Sequence, residues 1–275
     1  MDAIIFGLIF IIAIFVGALG ILAGFAGGVL LVPILVVFFH KPLALVIGSV
    51  ALSLILPSIT ATFQAYKKGE VLFLFALVFE IPTSIGAEIG AHLTVKLPEL
   101  VLYFFFSFLA FTVGVNMLKE SLKKAEKQKK EGLFKKINIG PKLKFVKNDI
   151  EIEASIFLII ISGFFIGMIS GMLGIGGGWL KTPLMVIAFG FPEAMATATA
   201  IFMIVITTTV SGLTHFFLGN TSLELVFPLT AGLTSGALIG RKIKNRMNNT
   251  QIRKIIGIAL IIIGFMMFYE GFLSI

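Results

Sequence analysis

The chain contains no cysteine and only three histidines, His40, His92 and His215, scattered along its 275 residues. A disulfide framework and a thiolate metal site are excluded, and neither a metal nor another cofactor is expected. Charge is scarce too: 13% of residues are charged against 58% hydrophobic, with a mean hydropathy of +1.08. That leaves too little polar surface to coat a soluble globule, so the chain reads as a multispanning, all-α membrane protein. The net charge of +8 does not point to nucleic acid, because the basic residues sit in short loops and one linker between apolar runs. Orientation in a bilayer accounts for them. No Lys or Arg precedes Lys41. The first apolar segment thus lacks the basic start of a cleavable leader and is expected to stay in the membrane. Enzyme signatures are missing as well: there is no His-Glu-x-x-His, no paired aspartates and no nucleophile elbow. Trp179-Leu180 separates Gly178 from Lys181, which breaks any resemblance to a phosphate-binding loop.

Apolar runs are present in abundance, at about 4–24, 28–39, 43–66, 70–95 and 98–118, and again at about 154–174, 178–190, 193–217, 221–240 and 251–273, judged by the ~20-residue spanning length. The second run of each set is short. At ~1.5 Å per residue it covers ~18 Å of a ~30 Å hydrocarbon core, as a half-helix or re-entrant segment would.

The two sets align at a constant shift of 150. Glycine falls on glycine at Gly17/Gly167, Gly24/Gly174, Gly27/Gly177, Gly28/Gly178, Gly69/Gly219, Gly86/Gly236, Gly90/Gly240 and Gly114/Gly264. Composition alone would give about 1.4 such matches. Pro33/Pro183 and Pro42/Pro192 agree too. The reading is a first repeat over 1–118, a basic linker over 119–153 and a second repeat over 154–275. Each repeat holds about five segments, including a glycine-broken helix followed by a short half-helix.

The charge bias alternates oppositely in the two repeats. Lys67 and Lys68 face a counterpart loop without basic residues, and the weakly charged loop at Lys96 corresponds to Arg241, Lys242, Lys244 and Arg246. The positive-inside rule then predicts inverted repeats, a cytoplasmic linker and both termini outside a cell membrane, with only Lys41, Lys96 and Lys181 off the cytoplasmic side. The linker, with its Lys-rich run, is expected to be a solvated connector.

Two apolar helices broken by glycines at matching positions point to a transport site at the bilayer midplane. A glycine-rich opening exposes backbone amides at a helix start, where an anion is the natural ligand. Gly27, Gly28, Gly177 and Gly178 are therefore expected to border the site. The competing account is close helix packing, which is the preferred reading for Gly86/Gly90 and Gly236/Gly240. Lys181 lies in the first turn after the second knot; attraction of an anion is its expected role, and pairing with Glu80 or Glu88 or snorkelling to water are the alternatives. Glu80, beside Pro82, and Glu88 are candidates for proton coupling, since buried carboxylates can hold and exchange a proton. His215 is expected near the outer surface in a loop or interface role.

The paired knots with their trailing prolines (Gly174 to Pro183 and Gly24 to Pro33), the small-residue starts Gly48-Ser49 and Thr197-Ala198-Thr199, Leu213-Thr-His215-Phe-Phe-Leu-Gly219-Asn220, and the Gly86/Gly90 and Gly236/Gly240 stretches together resemble the TauE/SafE sulfite exporter family, also called the toluene sulfonate uptake permeases. The likeness covers nearly the whole chain except the linker. Two departures stand in the first repeat: Ala26 matches Gly176, and Gln64-Ala-Tyr66 matches Thr214-His215-Phe216. The resemblance implies transport of sulfite, thiosulfate or a sulfonate. Ser49 and Thr199, at one repeat position and matching the family's small polar motif, join the candidate substrate ligands. The expectation is a secondary transporter exporting small anions by alternating access, with no nucleic-acid partner. The alternative is a passive anion channel or the membrane subunit of a larger complex. Nothing in the residues specifies oligomeric state or coupling ion.

Overall fold

A computed structural model describes residues 3–23, 27–122, 140–147, 150–243 and 249–273. Gly24, Ala26, the body of the linker, Lys244 and Arg246 lie outside these segments. The segment expected to form the first repeat folds as α1 (Ala3–Ala23), α2 (Gly28–Phe39), α3 (Leu43–Ser53), α4 (Ile55–Lys67), α5 (Phe73–Lys96) and α6 (Glu99–Leu122). A hairpin of β1 (Lys142–Lys147) and β2 (Ile150–Ser155) follows, and then α7 (Ile156–Leu173), α8 (Gly178–Ile187), α9 (Glu193–Phe217), α10 (Leu223–Ile243) and α11 (Asn249–Leu273). Among the described residues eight segments are long and apolar enough to cross a membrane, α3 and α4 counting as one. The protein is thus an all-α polytopic membrane protein.

The third apolar run divides at Leu54 for a covalent reason. Pro57 has no N–H for the Ser53 carbonyl and its ring crowds that carbonyl, so the helix restarts there. The short runs of the two sets become α2 and α8, both headed by glycines, as the sequence predicts.

Glycine decides how the long helices meet. α1 lies along α10, α5 along α7 and α6 along α11. A Cβ at Gly17 would fall 2.6 Å from the Leu233 carbonyl oxygen, and one at Gly167 2.0 Å from that of Thr83. At Gly86 it would meet the Phe164 oxygen at 2.1 Å, and at Gly236 the Ile14 oxygen at 2.1 Å. Each contact becomes its mate when 150 is added or subtracted. These glycines bring backbone against backbone, as small residues do between membrane helices. The order of contacts gives direction: Gly232, Gly236 and Gly240 advance along α1 in step, so α1 and α10 are parallel. By the same test α5 and α7 are parallel. In α6 and α11, by contrast, Gly114 lies against Gly257 and Tyr103 against Gly271, so these two equivalent helices run antiparallel.

Hydrogen bonds obey the same exchange. Ser49 Oγ accepts the Ser222 N–H at 2.9 Å, and Thr199 Oγ1 accepts the Leu72 N–H at 3.0 Å. Each hydroxyl of one repeat caps the start of a long helix in the other, α10 and α5 respectively.

The end of the charged linker is folded. Lys142-Leu-Lys-Phe-Val-Lys and Ile150-Glu-Ile-Glu alternate with a period of two, a strand signal, and they pair antiparallel with Phe145 opposite Ile152. Both of these side chains are buried, Phe145 edge-on to Phe75 at 5.2 Å between ring centroids, in a cluster with Phe189 and Phe191. Lys147 Nζ donates to the Val71 carbonyl. On the outer side Lys144 reaches Glu151 and Glu153, and hydrogen bonds to those carboxylates hold its ammonium pKa above the ordinary lysine value. The hairpin is therefore packed on the start of α5.

Gly167→Val should lower the melting temperature of the detergent-purified protein, an overpacking cost of about 1–3 kcal/mol or more. Gly7→Val, where a Cβ meets nothing within 4 Å, should leave it unchanged.

Candidate functional site

The site begins with backbone. Gly27 (φ 86°) and Gly177 (φ 67°) cap α2 and α8 in the left-handed region, and Gly174 and Gly176 take positive φ as well. Side chains are disfavoured in that conformation, which is why both restarts are glycine. The Gly27 carbonyl accepts from Leu30 and Leu31, and the Gly177 carbonyl from Leu180 and Lys181. The N–H groups ahead of these bonds, at each helix's first turn, are the unpaired donors of a positive helix end.

Both chains double back at the break. A Cβ on Gly27 would lie 3.0 Å from the Val16 carbonyl oxygen, and one on Gly177 3.4 Å from Ile166 Cγ2, both about two turns before the ends of α1 and α7. The two breaks touch: a Cβ on Gly28 would fall 3.1 Å from Ile175 Cα and 2.9 Å from Leu54 Cδ1. Gly27, Gly28, Gly177 and Gly178 are thus gathered, buried, in one region. Around it stand polar atoms without a hydrogen-bond partner among the described residues, including Ser170 Oγ, Trp179 Nε1, Thr182 Oγ1 and Ser58 Oγ.

Lys181 is fully buried, and its Nζ lies 2.5 Å from Glu80 Oε1 and 2.5 Å from Thr207 Oγ1. Thr207 Oγ1 is in turn 2.7 Å from Glu80 Oε2 and 3.0 Å from the Met203 carbonyl. One triad ties α8, α5 and α9 together. The lysine charge expected to attract an anion is therefore taken up by Glu80, the alternative weighed from sequence. The positions matching its members at a shift of 150 are Leu31, Thr230 and Pro57, so the triad, which joins the two sets of helices, has no mate.

The other candidates are dispersed. Glu88 lies on the exposed face of α5, where its carbonyl meets His92 Nδ1 at 2.9 Å, and it is not brought to Lys181. Glu80 and Glu88 are two turns plus a residue apart, enough to carry the second one outward. Ser49 and Thr199 spend their hydroxyls on the helix caps described above. His215 is fully buried rather than at the outer surface: it sits on the inner face of α9, with Nε2 3.0 Å from the Gly171 carbonyl.

Sequence reasoning missed a vestibule. A cavity of about 630 Å³ is lined by Thr60, Gln64, Lys68, Glu70, Glu193, Thr197 and Arg241 among smaller residues. Arg241 donates to the Gln64 carbonyl at 3.1 Å, and Glu193 pairs with Arg253. The vestibule shares Ile21, Ala61, Ile201 and Ala237 with a pinch of only about 10 Å³ between Gly17, Pro57, Ser58, Ile204 and Leu233. Ile204 Cγ2 in turn lies 3.0 Å from where a Cβ on Gly176 would be. Ile204, a wall of that pinch, is thus the one side chain between it and the second knot. The polar residues of the vestibule come from α4, α9, α10 and the turn after α4, with no spacing that a linear motif could record.

A polytopic helical bundle in which two broken helices meet beneath a polar vestibule has the architecture of a membrane transporter, and the comparisons agree. The family model described as Sulfite exporter TauE/SafE matches residues 9–267, and the chain belongs to that family. It is 25% identical over 276 residues to the "Probable membrane transporter protein YunE" of Bacillus subtilis (strain 168), covering 98% of this chain and 99% of that protein. It is 22% identical to YdhB of the same organism, also named a probable membrane transporter protein, over 91% of this chain and 96% of that one. A segment of 87 residues, 30% of this chain and 20% of the other, is 33% identical to the "Sulfite exporter TauE/SafE family protein 6" of Arabidopsis thaliana. No solved structure matches the chain.

Breaking the triad on one side leaves an uncompensated buried charge. Lys181→Met should cost about 3–5 kcal/mol of stability, and adding Glu80→Leu should recover most of it. Denaturant unfolding in detergent, followed by tryptophan fluorescence, measures both.

Proposed function

We propose that this transporter is a secondary carrier of small anions, sulfite or an organosulfur compound such as thiosulfate or a sulfonate, working by alternating access around the junction of α2 and α8. The observation that carries the reading is the contact of the two glycine breaks, Gly28 against Ile175, one side chain from the pinch below a polar vestibule. Helix starts with unpaired N–H groups favour negative charge without requiring a cation, so the neutralised Lys181–Glu80 pair is compatible with anion binding. In this reading Gly27, Gly28, Gly177 and Gly178 bind through backbone, Lys181 fixes the first turn of α8, and Ser49 and Thr199 hold the helices that frame the site. The family description and the plant relative's name support sulfite as the substrate and export as the direction.

The repeats 1–118 and 154–275 act as two inverted units joined by the linker 119–153. The antiparallel course of the equivalent helices α6 and α11 supports inversion. Lys68 and Arg241 line the vestibule, and the charge pattern of the sequence puts them on one side with every other basic residue except Lys41, Lys96 and Lys181. The positive-inside rule makes that side cytoplasmic, with both termini outside the cell membrane. The state described is then open to the cytoplasm, as the loading state of an exporter would be. Glu80, the buried member of the two carboxylates, is the candidate for proton coupling; Glu88, exposed, takes no part.

Purified protein in proteoliposomes should show saturable counterflow of labelled sulfite or a sulfonate, lost in Gly177→Val protein that still inserts and elutes as a folded species. Flux that rises linearly with concentration and needs no counter-substrate would identify a channel, and full activity in Gly177→Val would remove the knots from the mechanism.

A further inference from the structure

Exchange of the repeats maps the lining of the open vestibule onto a second set of residues. Ile21, Ala61, Ala65, Glu70, Thr197 and Ala198 become Gly171, Ser211, His215, Asn220, Ile47 and Gly48. This second set is packed shut. Ile47 and His215 are fully buried, and His215 Nε2 lies 3.0 Å from the Gly171 carbonyl. A Cβ on Gly48 would fall 2.1 Å from the Asn220 carbonyl oxygen and 2.9 Å from His215 Cβ.

An independent observation marks the same place. Ser211 Oγ, His215 Nδ1 and the Asn220 Nδ2 group are shut away with no hydrogen-bond partner among the described residues. Ser211 is 2% exposed and His215 0%. Buried polar atoms are normally paired, and orphans need a reason. Three of them at the mates of Ala61, Ala65 and Glu70 share one reason if these atoms meet water in another state of the protein. Their repeat partners line the open vestibule.

We infer that Ser211, His215 and Asn220 line a second vestibule, closed in this state, and that the His215–Gly171 hydrogen bond together with the Gly48–Asn220 contact forms its seal. The inference rests on the alternating-access reading and adds the residues of the opposite gate to it. The two vestibules differ in chemistry. The open one carries Lys68, Arg241, Glu70 and Glu193, whereas the closed one offers a hydroxyl, an imidazole and a carboxamide, neutral groups that hold a small oxyanion weakly. A solute would be gathered among charges on one side and released among neutral donors on the other.

The chain's lack of cysteine permits a direct test. Single variants Thr197→Cys and Ser211→Cys are reconstituted and exposed, from each side in turn, to a membrane-impermeant charged maleimide, with sulfoacetate as the substrate probe. Thr197→Cys should react at rest from the vestibule side only. Ser211→Cys should be inert at rest and become reactive from the opposite side when sulfoacetate is supplied. Adding His215→Ala to Ser211→Cys should raise its resting reaction rate roughly tenfold, the weight of one buried hydrogen bond. Ser49→Ala, which removes the acceptor of the Ser222 N–H in the same region, should act in the same direction should the histidine variant misfold. Ser211→Cys that never reacts in vesicles showing saturable counterflow would overturn the inference while leaving the carrier reading intact. Unreactive Ser211→Cys with no saturable flux of any anion would defeat both. Reaction of Ser211→Cys from the vestibule side would overturn the assignment of the gate.

Discussion

Backbone N–H and C=O groups cannot be left bare in hydrocarbon, and this chain interrupts two of its helices where the bilayer core should be. The interruptions are tolerable only inside protein. That constraint accounts for the burial of the first turns of α2 and α8, for their mutual contact at Gly28 and Ile175, and for the ring of long helices around them. The repeats do not fold beside each other as separate bundles. α1 lies along α10 and α5 along α7, so the most intimate contacts run between repeats.

The clasp is made from glycine, and that has a mechanical consequence. Carbonyl oxygens stand where a Cβ would need to be, so the paired helices are fixed in register and behave as stiff units. The joints between them are the break at Leu54, the knots themselves, and the contacts of α8 with α9. The Lys181–Glu80–Thr207 triad crosses that last joint and has no mate. The hairpin is a second feature without a mate, packed on the start of α5 through Phe145 and Lys147. The fastenings are thus one-sided where the glycine contacts come in mates.

The asymmetry also shows in what the two faces expose. On one, Thr197 and Arg241 line open space; on the other, their mates Ile47 and Ala91 are fully buried. Matching positions thus line open space on one face and are buried on the other.

The sequence by itself determined the class and the ground plan. Hydropathy marked the spans, because a bilayer demands about 20 apolar residues for each crossing. The register of glycines and prolines at a shift of 150 located the breaks, because left-handed caps and backbone contacts tolerate almost nothing else. Only the tertiary structure decided the rest. It chose Glu80 over Glu88 for Lys181, since which carboxylate turns inward depends on the phase of α5 against its neighbours. It gave Ser49 and Thr199 to helix caps in the opposite repeat and buried His215 beneath α7. It assembled the vestibule from four helices far apart in the chain. Spacing along one strand of sequence records what local backbone needs; which side chains share a cavity is fixed only when separate helices are packed together.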